Sequence, residues 1–209
     1  MADLSLIHRT QQARSGEAPH PGLLLLHGRG TDESDLLPLA SELDGRLFTV
    51  SARAPFRFPG GGYMWYNLDQ QGVGFPDPGD LTRSLDLLRL FLSEIVEAYP
   101  IDPERLYVAG FSMGAAMSAS LALTEPDRVA GAMVLSGYLP LHAGLAFRPQ
   151  DAANHPVFVA HGTQDQVIPV SFGRQTRYDH DVLRHELPER WLASGLRSDR
   201  PRTDASRGL

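Results

Sequence analysis

The chain has 209 residues and a formal net charge of −6, and its 19 basic residues are all arginine. This length suits one domain with a full hydrophobic core. Without lysine the chain cannot form a lysine Schiff base or build a lysine-dependent phosphate loop. Without cysteine it cannot form disulfides, a catalytic thiol or a cysteine-ligated zinc site. The mild acidity argues against a nucleic-acid partner.

The sequence predicts no membrane-spanning segment, since no apolar run approaches the roughly 18–20 residues that a span requires. The apolar run Leu23–Leu26 is also too short for the core of a signal peptide. We therefore expect a soluble cytoplasmic protein, with one domain over residues 1–193. Residues 194–209 carry few apolar side chains among Arg, Asp and Ser, which predicts a polar, mobile tail.

Short apolar runs alternate with longer helical patterns, which is typical of βαβ units and a mostly parallel sheet with helices on both faces. In chain order the predicted elements are an antiparallel edge strand at Leu4–Arg9, a strand at Leu23–His27, a helix at Ser34–Leu43, a strand at Leu47–Ser51, a helix at Asp80–Tyr99, a strand at Arg105–Ala109, a helix at Met113–Leu123, and strands at Ala132–Ser136 and Val157–His161. The segment 53–79 is rich in Gly, Pro and aromatic residues and predicts a long functional loop.

The most informative motif is Gly110-Phe111-Ser112-Met113-Gly114, which lies between a predicted strand and a predicted helix. This context is the one that a nucleophile elbow requires, because small residues let the strand and helix backbones approach while the turn exposes the serine hydroxyl. Gly-x-Ser-x-Gly also occurs by chance in glycine-rich loops. Its position here favours Ser112 as a catalytic nucleophile.

A second motif, His27-Gly28-Arg29-Gly30, follows the first buried strand. In the architecture that carries such an elbow, this loop supplies one backbone N–H of the oxyanion hole, and the residue after the nucleophile supplies the other. The candidate donors are therefore the N–H groups of Arg29 and Met113. Because the base in this fold follows the nucleophile and the acid in the chain, we expect His27 to brace the loop.

A third motif, His161-Gly162-Thr163-Gln164-Asp165, follows the last predicted strand. Asp165 is downstream of Ser112 and is the candidate acid that would orient a catalytic imidazole. The alternative is an ordinary aspartate in a turn. His161 precedes the acid, so a structural role is expected for it as well.

These motifs together resemble the phospholipase/carboxylesterase family of α/β-hydrolases, which includes small bacterial carboxylesterases and acyl-protein thioesterases. The resemblance covers roughly residues 20–178 and rests on LLLLHGRGTDESDLLPLA, FPGGGYMWYNLD, VAGFSMGAAMS and VFVAHGTQDQVIPVSFGRQ in that order. It implies a serine esterase without a cofactor, acting on a small acyl ester. It places Trp65 and Tyr66 beside the acyl pocket, although ordinary aromatic packing is the alternative for both residues.

The resemblance fails after Gln175, where the family has a helix, a final strand and a Gly-His loop. Only fourteen residues, Gln166 to Asp179, separate Asp165 from His180, too few for a crossover helix and a new strand. Tyr178-Asp179-His180-Asp181-Val182 is similar to the family's run around its catalytic histidine. We therefore interpret the chain as carrying a deletion that removes the last strand, with His180 as the base.

Other interpretations stay open at this point. The sequence after about residue 177 can be unrelated to the family, and His185 can be the base. In function, the alternatives are an acyl-thioesterase or lysophospholipase, and a pseudo-hydrolase without a well-placed histidine.

The missing strand also has a consequence for assembly. It would leave Val157–His161 as an apolar sheet edge, which predicts a homodimer or aggregation. Alternatively, Ser171–Leu192 folds over the edge and the protein stays monomeric.

Overall fold

The strands and helices follow the apolar patterns of the sequence closely. The computed structural model describes residues 4–152 and 154–184, with side chains through residue 177. The strands are β1 (His8–Gln11), β2 (His20–Leu26), β3 (Phe48–Ala52), β4 (Phe56–Arg57), β5 (Tyr63–Met64), β6 (Ile101–Phe111), β7 (Gly131–Leu135) and β8 (Val157–Ala160). The helices are α1 (Leu37–Ser41), α2 (Pro78–Ala98), α3 (Met113–Thr124) and α4 (Val170–Arg184), with a short 3-10 helix at Leu141–Ala143.

The main sheet has six strands in the order β1-β3-β2-β6-β7-β8. All neighbours are parallel except β1, which pairs antiparallel with β3. A separate two-stranded hairpin, β4 and β5, lies within the loop that follows β3. Because the strands are parallel, the loops after β2, β6, β7 and β8 all emerge at the carboxyl end of the sheet, and this end carries the candidate residues.

Helices cover both faces of the sheet, so its central strands are buried on both sides. In β2, Leu24 and Leu26 belong to the large core under α2 and α3, whereas Leu23 and Leu25 belong to the smaller core that includes Ala40 of α1. The prediction of a mostly parallel α/β fold with helices on both faces is confirmed.

The predicted boundaries are mostly confirmed within a few residues. The exception at the start of the chain is β1, which begins at His8 rather than at Leu4, although its antiparallel edge position is as expected. The hairpin β4–β5 inside the predicted loop 53–79 was not anticipated, because each of its strands has only two residues.

At the other side of the sheet, β8 pairs only with β7, and within the described residues no strand follows it. The chain instead turns into α4, which contacts β8, and Thr176 of α4 lines a small apolar cavity together with Ala119 and Leu123 of α3. The expectation that β8 forms the edge holds for the described part of the chain. The predicted tail 194–209 lies outside the described residues. None of the described helices is long and apolar enough to cross a membrane.

Candidate active site

Ser112 occupies the sharp turn between β6 and α3. Its backbone has φ 54° and ψ −114°, and its N–H donates to the Leu135 carbonyl of β7 at 2.9 Å. A positive φ is unusual for a residue with a side chain, and such strained conformations cluster at functional sites. The turn therefore has the geometry that the Gly-x-Ser-x-Gly motif predicts.

The glycines of the motif are required by close backbone approach. A Cβ atom at Gly110 would lie 2.0 Å from the Gly114 carbonyl oxygen, and one at Gly114 would lie 2.0 Å from the Leu26 carbonyl oxygen. Neither position can hold a larger residue without moving strand and helix apart. These contacts press the first turn of α3 onto the carboxyl end of β2 and fix the position of Ser112.

Two backbone N–H groups beside Ser112 make no hydrogen bond within the described part of the chain, and they belong to Arg29 and Met113. Met113 opens α3, where the first-turn N–H groups have no partner inside the helix. The loop that carries Arg29 lies against Ser112, because a Cβ atom at Gly28 would be 3.6 Å from the Ser112 Cβ atom. The arrangement leaves two donors available to an anionic oxygen.

His27 anchors the same loop from within the protein. It is fully buried, its Nδ1 bonds the Gly28 carbonyl at 2.7 Å, and its Nε2 accepts from the Ala54 N–H at 3.0 Å. Burial lowers the pKa of His27, with the Gly28 hydrogen bond acting in the opposite direction. With both ring nitrogens engaged and the ring neutral, the expected bracing role is confirmed.

Asp165 follows β8 in a tight turn. Its Oδ1 accepts from the Ile168 and Val167 N–H groups, both at 2.9 Å. These two hydrogen bonds, first Ile168 and then Val167, lower the pKa of Asp165, and nearby His161 lowers it further. The carboxylate is therefore ionised at neutral pH and rigidly oriented.

His161 lies beside this carboxylate. Its Nε2 bonds the Ile168 carbonyl at 2.7 Å and stands 3.6 Å from the Asp165 Oδ2. The imidazole thus holds the turn that carries both Asp165 and Ile168, as its expected structural role requires. Its buried Nδ1 makes no hydrogen bond within the described residues.

The structure describes the two candidate bases, His180 and His185, to different extents. The backbone of His180 belongs to α4, and its side chain is outside the described part of the structure. His185 lies outside the described residues altogether. The positions of Ser112, Asp165 and the two N–H groups are therefore described, whereas their catalytic roles and the identity of the base stay predictions.

A cavity opens beside Ser112 at this edge of the sheet. Its walls are mostly apolar and come from five separate loops and helix ends. The lining residues are Arg29, Tyr66, Leu68, Val73, Ser112, Met113, Tyr138, Val167 and Ile168.

Of the two aromatic residues expected beside this cavity, Tyr66 lines it and Trp65 lies behind it. Trp65 is fully buried, its Nε1 donates to the His27 carbonyl at 3.0 Å, and its carbonyl accepts from the Ser84 hydroxyl. Trp65 thus ties the aromatic loop to the loop of His27 and to α2.

The hydroxyl of Tyr66 is hydrogen-bonded to that of Tyr138 at 3.0 Å. Burial raises the pKa of both tyrosines, most strongly that of Tyr66. Both hydroxyls therefore remain neutral and partnered in the cavity wall. The sequence patterns do not single out Tyr138 as a residue of the cavity wall. Its position just after β7, at the carboxyl end of the sheet, is the signal that could have revealed it.

No group of three or more acidic or histidine side chains among the described residues could hold a metal ion.

Comparison with known proteins finds similarity over most of the chain. A family model described as Phospholipase/Carboxylesterase matches residues 10–187. Acyl-protein thioesterase 1 of Mycosarcoma maydis is 31% identical over 195 residues, which cover 83% of this chain and 80% of that protein. Carboxylesterase SOBER1 of Arabidopsis thaliana is 26% identical over 166 residues, covering 73% and 72%. The crystal structure of the Bacillus cereus carboxylesterase superposes with a TM-score of 0.72 at 26% identity, covering 88% of each chain.

Proposed function

This chain belongs to the phospholipase/carboxylesterase family of α/β-hydrolases, its relatives include a carboxylesterase and an acyl-protein thioesterase, and we propose that it hydrolyses esters of short or medium acyl chains through an acyl-enzyme at Ser112. The observation that carries the proposal is the strained turn at Ser112, with two free N–H groups beside it and an apolar cavity in front. The acyl group would occupy this cavity, against Tyr66.

In the proposed reaction the Ser112 Oγ attacks the ester carbonyl carbon while its proton passes to an imidazole. The carbonyl oxygen becomes an oxyanion that accepts from the Arg29 and Met113 N–H groups, and losing one such donor typically costs about 10²–10³ in rate. The intermediate collapses, the alcohol leaves with the imidazole's proton, and water then releases the acid from Ser112 by the same steps. Asp165 would hold the imidazole in the productive orientation.

We propose His180 as that imidazole, supported by its place after Asp165 in the chain and by its similarity to the family's motif. His180 is ten residues beyond the start of α4, which corresponds to about 15 Å of helix. His185 is the alternative base.

A fluorophosphonate probe together with 4-nitrophenyl esters of increasing chain length tests the proposed function. We expect labelling of the wild type at Ser112, no labelling of Ser112→Ala, and turnover that falls once the acyl chain outgrows the cavity. A folded wild-type protein that neither labels nor turns over an ester would instead be the pseudo-hydrolase.

Cleavage of acyl thioesters is the second candidate, because a relative that is 31% identical is an acyl-protein thioesterase. An oxygen ester and a thioester with the same acyl group and matched leaving groups separate the two. A kcat/KM ratio strongly in favour of the thioester would move the assignment to thioesterase.

Two further properties belong to the proposal. The first is a cytoplasmic location, which cell fractionation tests. The second is a homodimer formed through the edge of the sheet, supported by the edge position of β8.

A further inference from the structure

Building on the proposed function, we propose that the Arg29 side chain selects esters whose alcohol portion carries a negative charge, of the carboxylate class. Arg29 is the only charged residue among those that line the cavity with Ser112 in the described part of the chain. The other walls are hydroxyl or apolar groups, and an apolar wall strengthens the field of a nearby charge.

The guanidinium is available to a ligand. Within the described residues Arg29 forms no ion pair, whereas Arg53 and Arg89 are bound to carboxylates. Arg29 is exposed and lines the same cavity as Ser112. An arginine in this state can offer two parallel N–H donors to a carboxylate.

The guanidinium is also held in place. It lies over the ring of Phe58 at 5.3 Å from the centroid, which is within the range of a cation–π contact. Phe58 itself packs against the core and is fixed by hydrogen bonds with Gly61 and Gly62 in the β4–β5 turn. A prepositioned cation loses less entropy when it binds an anion.

The field of Arg29 reaches into the cavity, since Arg29 lowers the pKa of Tyr66 against the larger effect of burial. The two tyrosine hydroxyls of the wall bond each other, so they do not compete for the guanidinium. The apolar part of the cavity suits an uncharged acyl chain. Arg29 is the charged and exposed member of the lining, and we therefore assign the anion to the alcohol portion of the ester.

The test compares 3-acetoxybenzoate with its uncharged counterpart 3-acetoxybenzamide. The measured quantity is the ratio of their kcat/KM values, which cancels general losses of activity. We expect Arg29→Gln to lower this ratio by up to about fivefold, the upper end of the range for an exposed ion pair, and Arg29→Lys to restore part of it. High salt should reduce the wild-type ratio because the Debye screening length falls from about 10 Å at 0.1 M to about 3 Å at 1 M.

Arg57→Gln is the matched control. Arg57 is also exposed, lies over an aromatic ring of the same hairpin at 5.7 Å, and does not line the cavity. The Arg57→Gln substitution removes the same charge from the neighbouring surface, so the ratio of the two kcat/KM values should stay at the wild-type value. Equal ratios in the wild type, Arg29→Gln and Arg57→Gln would overturn the inference.

The acyl side and the alcohol side are distinguished by a third substrate, the 4-nitrophenyl monoester of glutaric acid, whose charge is on the acyl chain. If the wild type hydrolysed this ester with a higher kcat/KM than an uncharged 4-nitrophenyl ester, and Arg29→Gln removed that preference, the assignment of the anion to the alcohol portion would be contradicted.

A binding measurement separates failure of the inference from failure of the proposed function. In the Ser112→Ala background, 3-hydroxybenzoate should bind more tightly than 3-hydroxybenzamide, and Arg29→Gln should remove the difference. This outcome would support the inference even in a chain that hydrolyses no ester. No difference in binding would reject it even in an active esterase.

Discussion

Ser112 holds a backbone conformation that costs about 1–3 kcal/mol for any residue with a side chain, so alanine meets the same strain as serine there. Within the described residues the Ser112 hydroxyl makes no hydrogen bond. We therefore expect Ser112→Ala to abolish ester hydrolysis while changing the free energy of unfolding by less than about 1 kcal/mol. Steady-state kinetics and urea denaturation measure the two effects. Retention of more than a few per cent of wild-type turnover would show that another group is the nucleophile.

The histidine variants decide which imidazole acts as base. We expect His180→Ala to reduce kcat far more than His185→Ala, because His180 is the residue that resembles the family's motif. A slow residual rate would not contradict this, since a triad without one member can retain about 10³–10⁴-fold catalysis over water.

His161→Gln serves as the comparison, because His161 braces the Asp165 turn through the Ile168 carbonyl. We expect its effect to appear mainly in stability. Negligible loss of turnover from both His180→Ala and His185→Ala would contradict His180 as the base and point to a third group.

His27 should make the fold sensitive to mild acid. Its pKa in the folded protein is lowered from 6.5 by burial, while in the unfolded chain it keeps the ordinary value. The unfolded state therefore binds more protons below pH 6.5, and the stabilising contribution of neutral His27 is lost as the pH falls through that value. We expect the free energy of unfolding to fall by up to about 1.4 kcal/mol per pH unit there.

Denaturant unfolding between pH 8 and pH 5 measures this slope. His27→Gln should flatten this slope. Asp165 and Glu33 have lowered pKa values, so their contributions are lost only at lower pH, as the pH falls below their ordinary values of 3.8 and 4.5. A slope that survives in His27→Gln would contradict the assignment.

At the scale of elements, the packing of α3 on β2 depends on Gly114. A methyl group there would lie 2.0 Å from the Leu26 carbonyl oxygen, and the helix backbone leaves it no alternative position. We expect Gly114→Ala to destabilise the fold by about 2–3 kcal/mol, the upper range for overpacking, and to lower kcat by displacing the first turn of α3. Thermal or urea unfolding measures the first effect.

Gly79→Ala is the control for this substitution. Gly79 lies in the first turn of α2, where a Cβ atom would approach only the Asp77 carboxylate at 3.3 Å. Alanine is favoured over glycine in helices, so the change should be neutral or slightly stabilising. Equal destabilisation by the two substitutions would show that close approach at Gly114 is not the cause.

The central elements could be predicted from sequence because each is recorded in a local pattern. Leu23–Leu26 lie on both faces of a buried strand, and α2 repeats its apolar residues at helical spacing. The hairpin β4–β5 escaped prediction because two-residue strands leave no periodic signal. It forms through tertiary hydrogen bonds, such as the one from the Gly30 N–H to the Tyr63 carbonyl at 2.8 Å.

In the candidate site, too, features with a local sequence pattern could be predicted, whereas features formed by tertiary contacts could not. Ser112 and Asp165 belong to motifs that directly follow strands, so topology alone brings them to one edge. The wall formed by Tyr66 and Tyr138 joins residues that are 72 positions apart, and no local pattern encodes such a pair.

For the whole molecule, we propose that the side of the sheet that ends at β8 governs association. An apolar row runs across one face from Leu25 through Ala109 and Met133 to Phe158, in register on neighbouring strands. At the Leu25 end this row packs with Ala40 of α1. At the other end Phe158 is 42% exposed, and β8 has no pairing partner on its outer side within the described residues. Apolar surface beside an unpaired edge promotes pairing with another chain.

We therefore expect the protein to form dimers or larger assemblies as its concentration rises, as measured by light scattering coupled to size-exclusion chromatography. Phe158→Arg places a charge on the exposed apolar end of the row and should shift the protein toward a 22.9 kDa monomer. Leu90→Arg removes an equally apolar side chain that is 51% exposed on α2, far from the edge, and should leave association unchanged. If Ser171–Leu192 covers the edge instead, the wild type stays monomeric at every concentration, and that result would exclude the exposed-edge model.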